Sequence, residues 1–251
     1  MKKNISIEET FDLAVQNHQK NNFEIAEKLY KKILDINPSY AGVHYNLGMM
    51  YKELDELQKS INSYKKAIEI NPNYVEAYNN LGLALIETNE FKKAINCYQK
   101  AIHINPNYVE AQNNLGLAFK ILKKYDESIN CYKKAIMLNP NHAPAHSNLG
   151  LLFKELGEYQ KAINCYEKAI QVDPNFANVY YNLGNILQEL RELQKAKKCY
   201  EKLLKLDPDY KKGYSGYGNL LLKISQHNKG LAYIKKGDGV IRFTEKNVKI
   251  I

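Results

Sequence analysis

The chain has 251 residues, 45% of them hydrophobic and 25% charged, and a formal net charge of +9. That is a globular composition, and no apolar run approaches the ~18 residues of a membrane-spanning helix. Met1-Lys2-Lys3-Asn4 is basic, but no apolar segment follows it, so a cytoplasmic protein is expected rather than a secreted one.

Residues 1–6 form a short lead. It ends at Ser6, which makes a capping box with Glu9 and opens the first helix. From residue 7 the sequence repeats itself. Pro38, Pro72, Pro106, Pro140, Pro174 and Pro208 each stand 34 residues after the last. Glycine keeps the same beat at 48, 82, 116, 150, 184 and 218, and tyrosine at 30, 64, 98, 132, 166 and 200. A fixed period of this size predicts one supersecondary unit copied along the chain, with copies at 7–40, 41–74, 75–108, 109–142, 143–176 and 177–210.

The copy at 75–108 shows how the unit is built. Tyr78, Leu81, Gly82 and Leu85 lie on one stripe of a helix, a break follows at Thr88 and Asn89, and a second stripe runs through Phe91, Ala94, Ile95, Tyr98, Ala101 and Ile102. Asn105-Pro106 ends the second helix, because proline disfavours the α region for the residue before it and brings no backbone donor. Ser39, Asn73, Asn107, Asn141, Asn175 and Asp209 then stand where an N-cap for the next helix is expected. Gly82, Ala94 and Ala101 are small enough to let the paired helices approach closely.

A seventh, degraded copy starts at Lys211. It keeps Tyr214 and Gly218 but carries Gly230, Gly237 and Arg242 where the small residues and the proline region should be, so 211–237 is expected to act as a capping helix pair. Residues 238–251 form a basic, β-prone tail. Its two runs, Val240–Phe243 and Val248–Ile251, can pair as a hairpin, cover the last helix or begin a further domain. Residues 211–251 carry nine Lys and Arg against Asp238 and Glu245, which leaves 27 basic and 25 acidic residues for the rest. The repeat body is therefore nearly neutral. A nucleic-acid ligand, which calls for a basic groove with stacking aromatics, is not expected.

The motif His44-x-x-Leu47-Gly48-x-x-Tyr51, continued in the next copy by Ala94-x-x-x-Tyr98, Ala101 and Pro106, resembles the tetratricopeptide repeat. Six copies cover 7–210; the first departs from the pattern with Thr10, Ala14 and Asn17, as terminal repeats often do. The resemblance implies an all-α, right-handed α-solenoid of about fourteen antiparallel helices, approaching one superhelical turn. It also implies that the first helix of each repeat lines a concave groove.

Cys97, Cys131, Cys165 and Cys199 share one position of four consecutive repeats. Equivalent positions stand roughly a helix-packing distance apart, 8–10 Å, too far for a disulfide and in a row rather than converging on zinc. Buried, reduced thiols are expected. His142 and His146 have helical spacing, but no carboxylate completes a zinc motif, and both stand where sister repeats carry aromatics or other packing residues. Gly213-Tyr214-Ser215-Gly216-Tyr217 misses the nucleophile elbow at its last residue and has no preceding strand. With the repeats filling the chain, neither a catalytic domain nor a cofactor or metal site is expected.

The candidate site is therefore the face of each first helix opposite its packing stripe. Its sixth position reads Asn46, Asn80, Asn114, Asn148 and Asn182, joined by Asn79, Asn113 and Asn185. Asparagine is a mediocre mid-helix residue, so such a run calls for a compensating hydrogen bond. The amides can serve the backbone of an extended ligand, contacting about every third residue if the repeats are spaced ~10 Å. They can equally bond one another or neighbouring helices. Similar asparagine ladders line the groove of O-linked N-acetylglucosamine transferases. Beside the ladder run an apolar row, Met49, Leu83, Leu117 and Leu151, and an acidic row, Glu53, Glu87, Glu155 and Glu189, with Glu76 and Glu110 near the helix starts. Lys52, Lys120 and Lys154 partly offset the acids. Such a face favours an extended peptide with apolar and basic side chains. Two functional classes fit: a non-catalytic scaffold that binds peptide or protein segments, or the targeting arm of a glycosyltransferase, sulfotransferase or oxygenase whose catalytic part lies elsewhere.

Overall fold

The computed structural model describes residues 6–238 and the backbone of 241–244 and 247–250. Residues 1–5 of the lead, and Val240 and Ile251 of the β-prone runs, lie outside the described residues. Among the described residues fourteen helices follow one another: α1 (Ile7–Gln19), α2 (Phe23–Ile36), α3 (Ala41–Glu53), α4 (Leu57–Ile70), α5 (Val75–Glu87), α6 (Phe91–Ile104), α7 (Val109–Ile121), α8 (Tyr125–Leu138), α9 (Ala143–Glu155), α10 (Tyr159–Val172), α11 (Ala177–Glu189), α12 (Leu193–Leu206), α13 (Lys211–Lys223) and α14 (His227–Asp238). Strands β1 (Ile241–Thr244) and β2 (Asn247–Ile250) close the chain. The fold class is an all-α solenoid.

The chain divides into two compact units, Met1–Lys134 and Ala135–Ile251. In the first, α1 pairs with α2, α3 with α4 and α5 with α6; each pair hands on to the next through α2–α3, α4–α5 and α6–α7, and first helices also touch through α1–α3, α3–α5 and α5–α7. In the second, α9–α10, α11–α12 and α13–α14 pair, joined through α10–α11, α12–α13, α9–α11 and α11–α13. Such nearest-neighbour packing gives no central core; each pair buries its stripes against the adjacent one.

The periodic residues hold the pairs together. The ring of each periodic tyrosine, from Tyr30 to Tyr200, is almost wholly buried. In repeats two to six it lies against the glycine of its partner helix, as Tyr64 does on Gly48 and Tyr132 on Gly116. Where Ser60 and Ser128 replace the alanine of sister repeats, each hydroxyl donates to that glycine's carbonyl at 2.7 Å.

Turn chemistry sets the helix ends. The residue after each first helix's C-cap has a left-handed backbone: Asn21, Asp55, Asn89, Lys123, Gly157, Arg191 and Ser225, with φ between 58° and 75°. At the start of α1, Ser6 Oγ accepts from the Glu9 amide at 3.0 Å while Glu9 accepts from the Ser6 amide at 2.9 Å, completing the capping box.

The other N-caps differ from expectation. Tyr40, Tyr74, Tyr108, His142, Phe176 and Tyr210 occupy those positions, one residue after Ser39, Asn73, Asn107, Asn141, Asn175 and Asp209. Of these only His142 caps with its side chain; the side chain that closes the turn is the one before the proline. Asn37, Asn71, Asn105, Asn139, Asp173 and Asp207 each accept the amide two residues on, at 2.9–3.2 Å. These are Asx-turns: the side chain closes the loop across a proline that has no N–H to offer.

The tail pairs as an antiparallel hairpin with Ile241 opposite Ile250 and Thr244 opposite Asn247. This is the hairpin among the three sequence alternatives. Helix α14 runs one residue beyond the expected limit, to Asp238.

Candidate functional site

In the first unit the asparagines form a hydrogen-bonded relay. Asn113 Nδ2 donates to Asn114 Oδ1 at 3.4 Å, Asn114 Nδ2 to Asn79 Oδ1 at 2.9 Å, Asn79 Nδ2 to Asn80 Oδ1 at 3.2 Å, and Asn80 Nδ2 to Tyr45 Oη at 3.0 Å. The steps between helices join residues 35 apart, the sixth position of one repeat to the fifth of the repeat before. Asn79 and Asn113 are buried links, 5% and 8% exposed, on α5, which packs on α4, α6 and α7, and on α7, which packs on α5 and α6. Asn80 and Asn114 are half-buried. An amide has two N–H donors and an oxygen with two lone pairs. Asn80 also serves the Tyr64 hydroxyl, whereas Asn114 spends one donor and one acceptor in the relay and among the described residues no other bond takes the remainder.

Tyr45, the end of the relay, was not singled out by sequence. Its signal was that the fifth position, beside the asparagine, is aromatic in some repeats. Asn46 makes no side-chain hydrogen bond among the described residues, since its counterpart 35 positions back is Phe11, which has no acceptor. In the second unit Asn148 and Asn182 are half-buried. Asn185 is tied to a core tyrosine, its Oδ1 accepting from Tyr200 Oη at 2.7 Å.

The apolar row is half-buried at Met49, Leu83 and Leu117 in the first unit and at Leu151 in the second. The acidic row is exposed and partly engaged by neighbouring side chains. Glu53 lies 3.2 Å from His18 and Glu87 lies 3.2 Å from Lys52. In the second unit Glu155 is exposed, and the Tyr159 hydroxyl, bonded to Glu189, has its pKa raised by that carboxylate.

The remaining chemistry-bearing groups serve the scaffold. His142 caps α9, its Nδ1 accepting the Ala145 amide at 3.1 Å, and His146 Nε2 lies 2.9 Å from the Pro140 carbonyl. A carbonyl can only accept, so His146 carries its proton on Nε2. His44 and Tyr180 hold the equivalent proline carbonyls, at 3.0 and 3.1 Å. The four cysteines are free thiols; Cys131 is buried and the others are half-buried, less enclosed than expected. Burial pushes all four thiols up to about 11. Among the described residues no three His, Cys, Asp or Glu side chains gather as metal ligands, and no helix is long and apolar enough to cross a membrane.

Profiles described as TPR repeat match residues 48–89, 82–122 and 152–191, and profiles described as tetratricopeptide repeat match 29–62, 109–142, 131–164 and 177–210. The chain belongs to the tetratricopeptide repeat family. No curated protein sequence matches it. Among solved structures, MamA is 28% identical, with 66% of this chain and 96% of that one aligned at a TM-score of 0.59. PilF of Pseudomonas aeruginosa is 21% identical over 77% and 88%, TM-score 0.70. YrrB, described as a TPR protein with an unusual peptide-binding site, is 21% identical over 78% and 97%, TM-score 0.54. At 21% identity, PilF and YrrB speak to the fold alone. A repeat-only, protein-interaction scaffold is the class these likenesses support.

Proposed function

We propose that this tetratricopeptide repeat chain is a non-catalytic adaptor that binds an extended peptide or protein segment along its first-helix faces. Asparagine amides hold the ligand's backbone, and the leucine row favours apolar side chains. The observation that carries the reading is the half-used state of Asn114. The relay fixes this amide in place and leaves it one donor and one acceptor, the pair that a peptide group requires. Donors held in advance lose less entropy when the ligand arrives. The description of YrrB as a peptide-binding TPR protein gives the same fold this use.

The test is the doubly substituted Asn80→Ala/Asn114→Ala chain against a partner captured from native lysate with the unaltered chain. Each net hydrogen bond contributes roughly 0.5–1.5 kcal/mol, so affinity should fall roughly tenfold to a hundredfold. The relay also supports the fold, so melting is measured alongside. A clear fall in melting with unchanged affinity would make the asparagines scaffolding and end this reading.

A further inference from the structure

Aromatic pairs recur beside the relay in repeats one, two and six, and the three repeats between lack them. In repeats one, two and six the fifth position is aromatic and packs on the residue that caps the next first helix. Phe11 lies on Tyr40 at 5.3 Å between ring centroids, Tyr45 on Tyr74 at 4.9 Å, and Tyr181 on Tyr210 at 5.4 Å. In repeat three the fifth position is Asn79, which the relay has recruited. The corresponding cap, Tyr108, is half-buried, and among the described residues no ring stacks on it.

The charges around Tyr108 differ from those of the acidic row. Glu76 and Glu110 stand in the first turns of α5 and α7, are exposed, and have no ion-pair partner among the described residues. Both carboxylates act on Tyr108: after burial, the charges of Glu110 and Glu76 help to push its hydroxyl up to about 12. Glu76 also acts on Tyr45 and Tyr74. Phe176 in the second unit shares the missing partner, since Ser147 precedes it at the fifth position, but Pro144 and Asn178 replace the two carboxylates. Tyr108 is thus a half-buried ring with no stacking partner, at the cap of α7, near the exposed carboxylates of the first turns of α5 and α7.

We propose that Tyr108, with Glu76 and Glu110, is a subsite for one arginine side chain of the bound segment. The guanidinium is planar and weakly hydrated, so it stacks on a tyrosine face while its edge N–H groups meet a carboxylate. A lysine ammonium, compact and strongly hydrated, gains less from the ring. This rests on the peptide-binding reading above and adds the ligand's charge and shape at one position.

The probes are synthetic octapeptides alternating alanine with arginine, with lysine, or with citrulline, which keeps arginine's shape without its charge. Each is titrated calorimetrically into the whole chain at low and at physiological salt. The arginine peptide should bind at least tenfold tighter than the citrulline peptide and several-fold tighter than the lysine peptide, with the advantage shrinking as salt rises. Tyr108→Leu and Glu76→Gln/Glu110→Gln should each weaken the arginine peptide about tenfold. Tyr108→Phe, which keeps the ring, and Phe176→Leu should leave its affinity nearly unchanged. Melting curves show whether each variant is folded, and the glutamine pair keeps the side-chain shape should Tyr108→Leu fail. Absent binding of the arginine peptide, equal binding of the lysine peptide, or indifference to Glu76→Gln/Glu110→Gln would overturn the subsite. Equal binding of arginine and citrulline peptides would overturn it too, while leaving the groove reading to stand on the asparagine variants.

Discussion

Gly82 and Tyr98 approach so closely that a β-carbon on Gly82 would lie 2.5 Å from Cε1 of the tyrosine ring. At Gly184 the same geometry leaves 3.2 Å to the ring of Tyr200. The difference separates two effects that normally mix in a helix. Replacing a mid-helix glycine by alanine gains about 0.5–1 kcal/mol of backbone entropy, whereas overpacking a rigid core costs about 1–3 kcal/mol. Gly82→Ala should therefore destabilise by about 1–2 kcal/mol, and Gly184→Ala should lie close to neutral. Urea unfolding of the two variants side by side tests this; equal stabilities would mean the two contacts are not different.

The periodic tyrosines differ in what their hydroxyls meet. Those of Tyr30, Tyr98 and Tyr166 are buried without a hydrogen-bond partner among the described residues, whereas Tyr200 donates to Asn185. The residue facing that hydroxyl is Asn185 in repeat six, while the same position is Leu83 and Leu151 in repeats three and five. An unpaired buried hydroxyl costs stability, and removing it returns that cost. Tyr98→Phe should be neutral or stabilising, and Tyr200→Phe should cost about 1 kcal/mol. Melting temperatures that move the same way for both would contradict the assignment.

The helices were legible because the 34-residue spacing of proline, glycine and tyrosine carries packing reasons that hold at every copy. Their caps were less so: the Asn105-Pro106-Asn107 run offers two candidate side chains, and only the turn geometry shows that Asn105 closes the loop. The asparagine face was legible as a row but not as a circuit. The bond from Asn114 to Asn79 crosses repeats at a separation of 35, off the beat that sequence inspection follows. For the same reason Tyr45 and Tyr108 escaped notice, since both look like ordinary members of a tyrosine-rich chain until their neighbours are known.

The left-handed turn position gives a route to higher stability. Arg191 and Lys123 hold φ at 61° and 58°, where repeat five uses Gly157 at 75°. A side chain other than glycine pays roughly 1–2 kcal/mol there, and glycine is the usual residue just after a helix C-cap. Arg191→Gly should raise the melting temperature, the gain being reduced by the extra freedom glycine brings to the unfolded chain. Gly157→Ala should lower it. If Arg191→Gly melts below the unaltered chain, the strain at this turn is smaller than the entropy that glycine adds.

Alkaline pH should unfold the solenoid in two stages. Burial holds Cys97, Cys131, Cys165 and Cys199 up at about 11 against an ordinary 9.0, and Tyr30, Tyr74 and Tyr108 up at about 12 against 10.0. A raised pKa in the folded state means that the unfolded chain loses these protons first. Their contribution is complete below about pH 9 and is lost as pH rises through 11 for the thiols and 12 for the phenols. The urea midpoint should stay level up to about pH 9 and then fall, and replacing all four cysteines by alanine should remove the earlier part of the fall. The same burial predicts thiol chemistry. At pH 8 iodoacetamide should alkylate the native chain far more slowly than the urea-unfolded one, because burial pushes the thiols up to about 11 and so depletes the thiolate. Rapid labelling of all four thiols in the native state, or a urea midpoint that stays level to pH 11, would show that the cysteine row is far less enclosed than its surroundings in α6, α8, α10 and α12 imply.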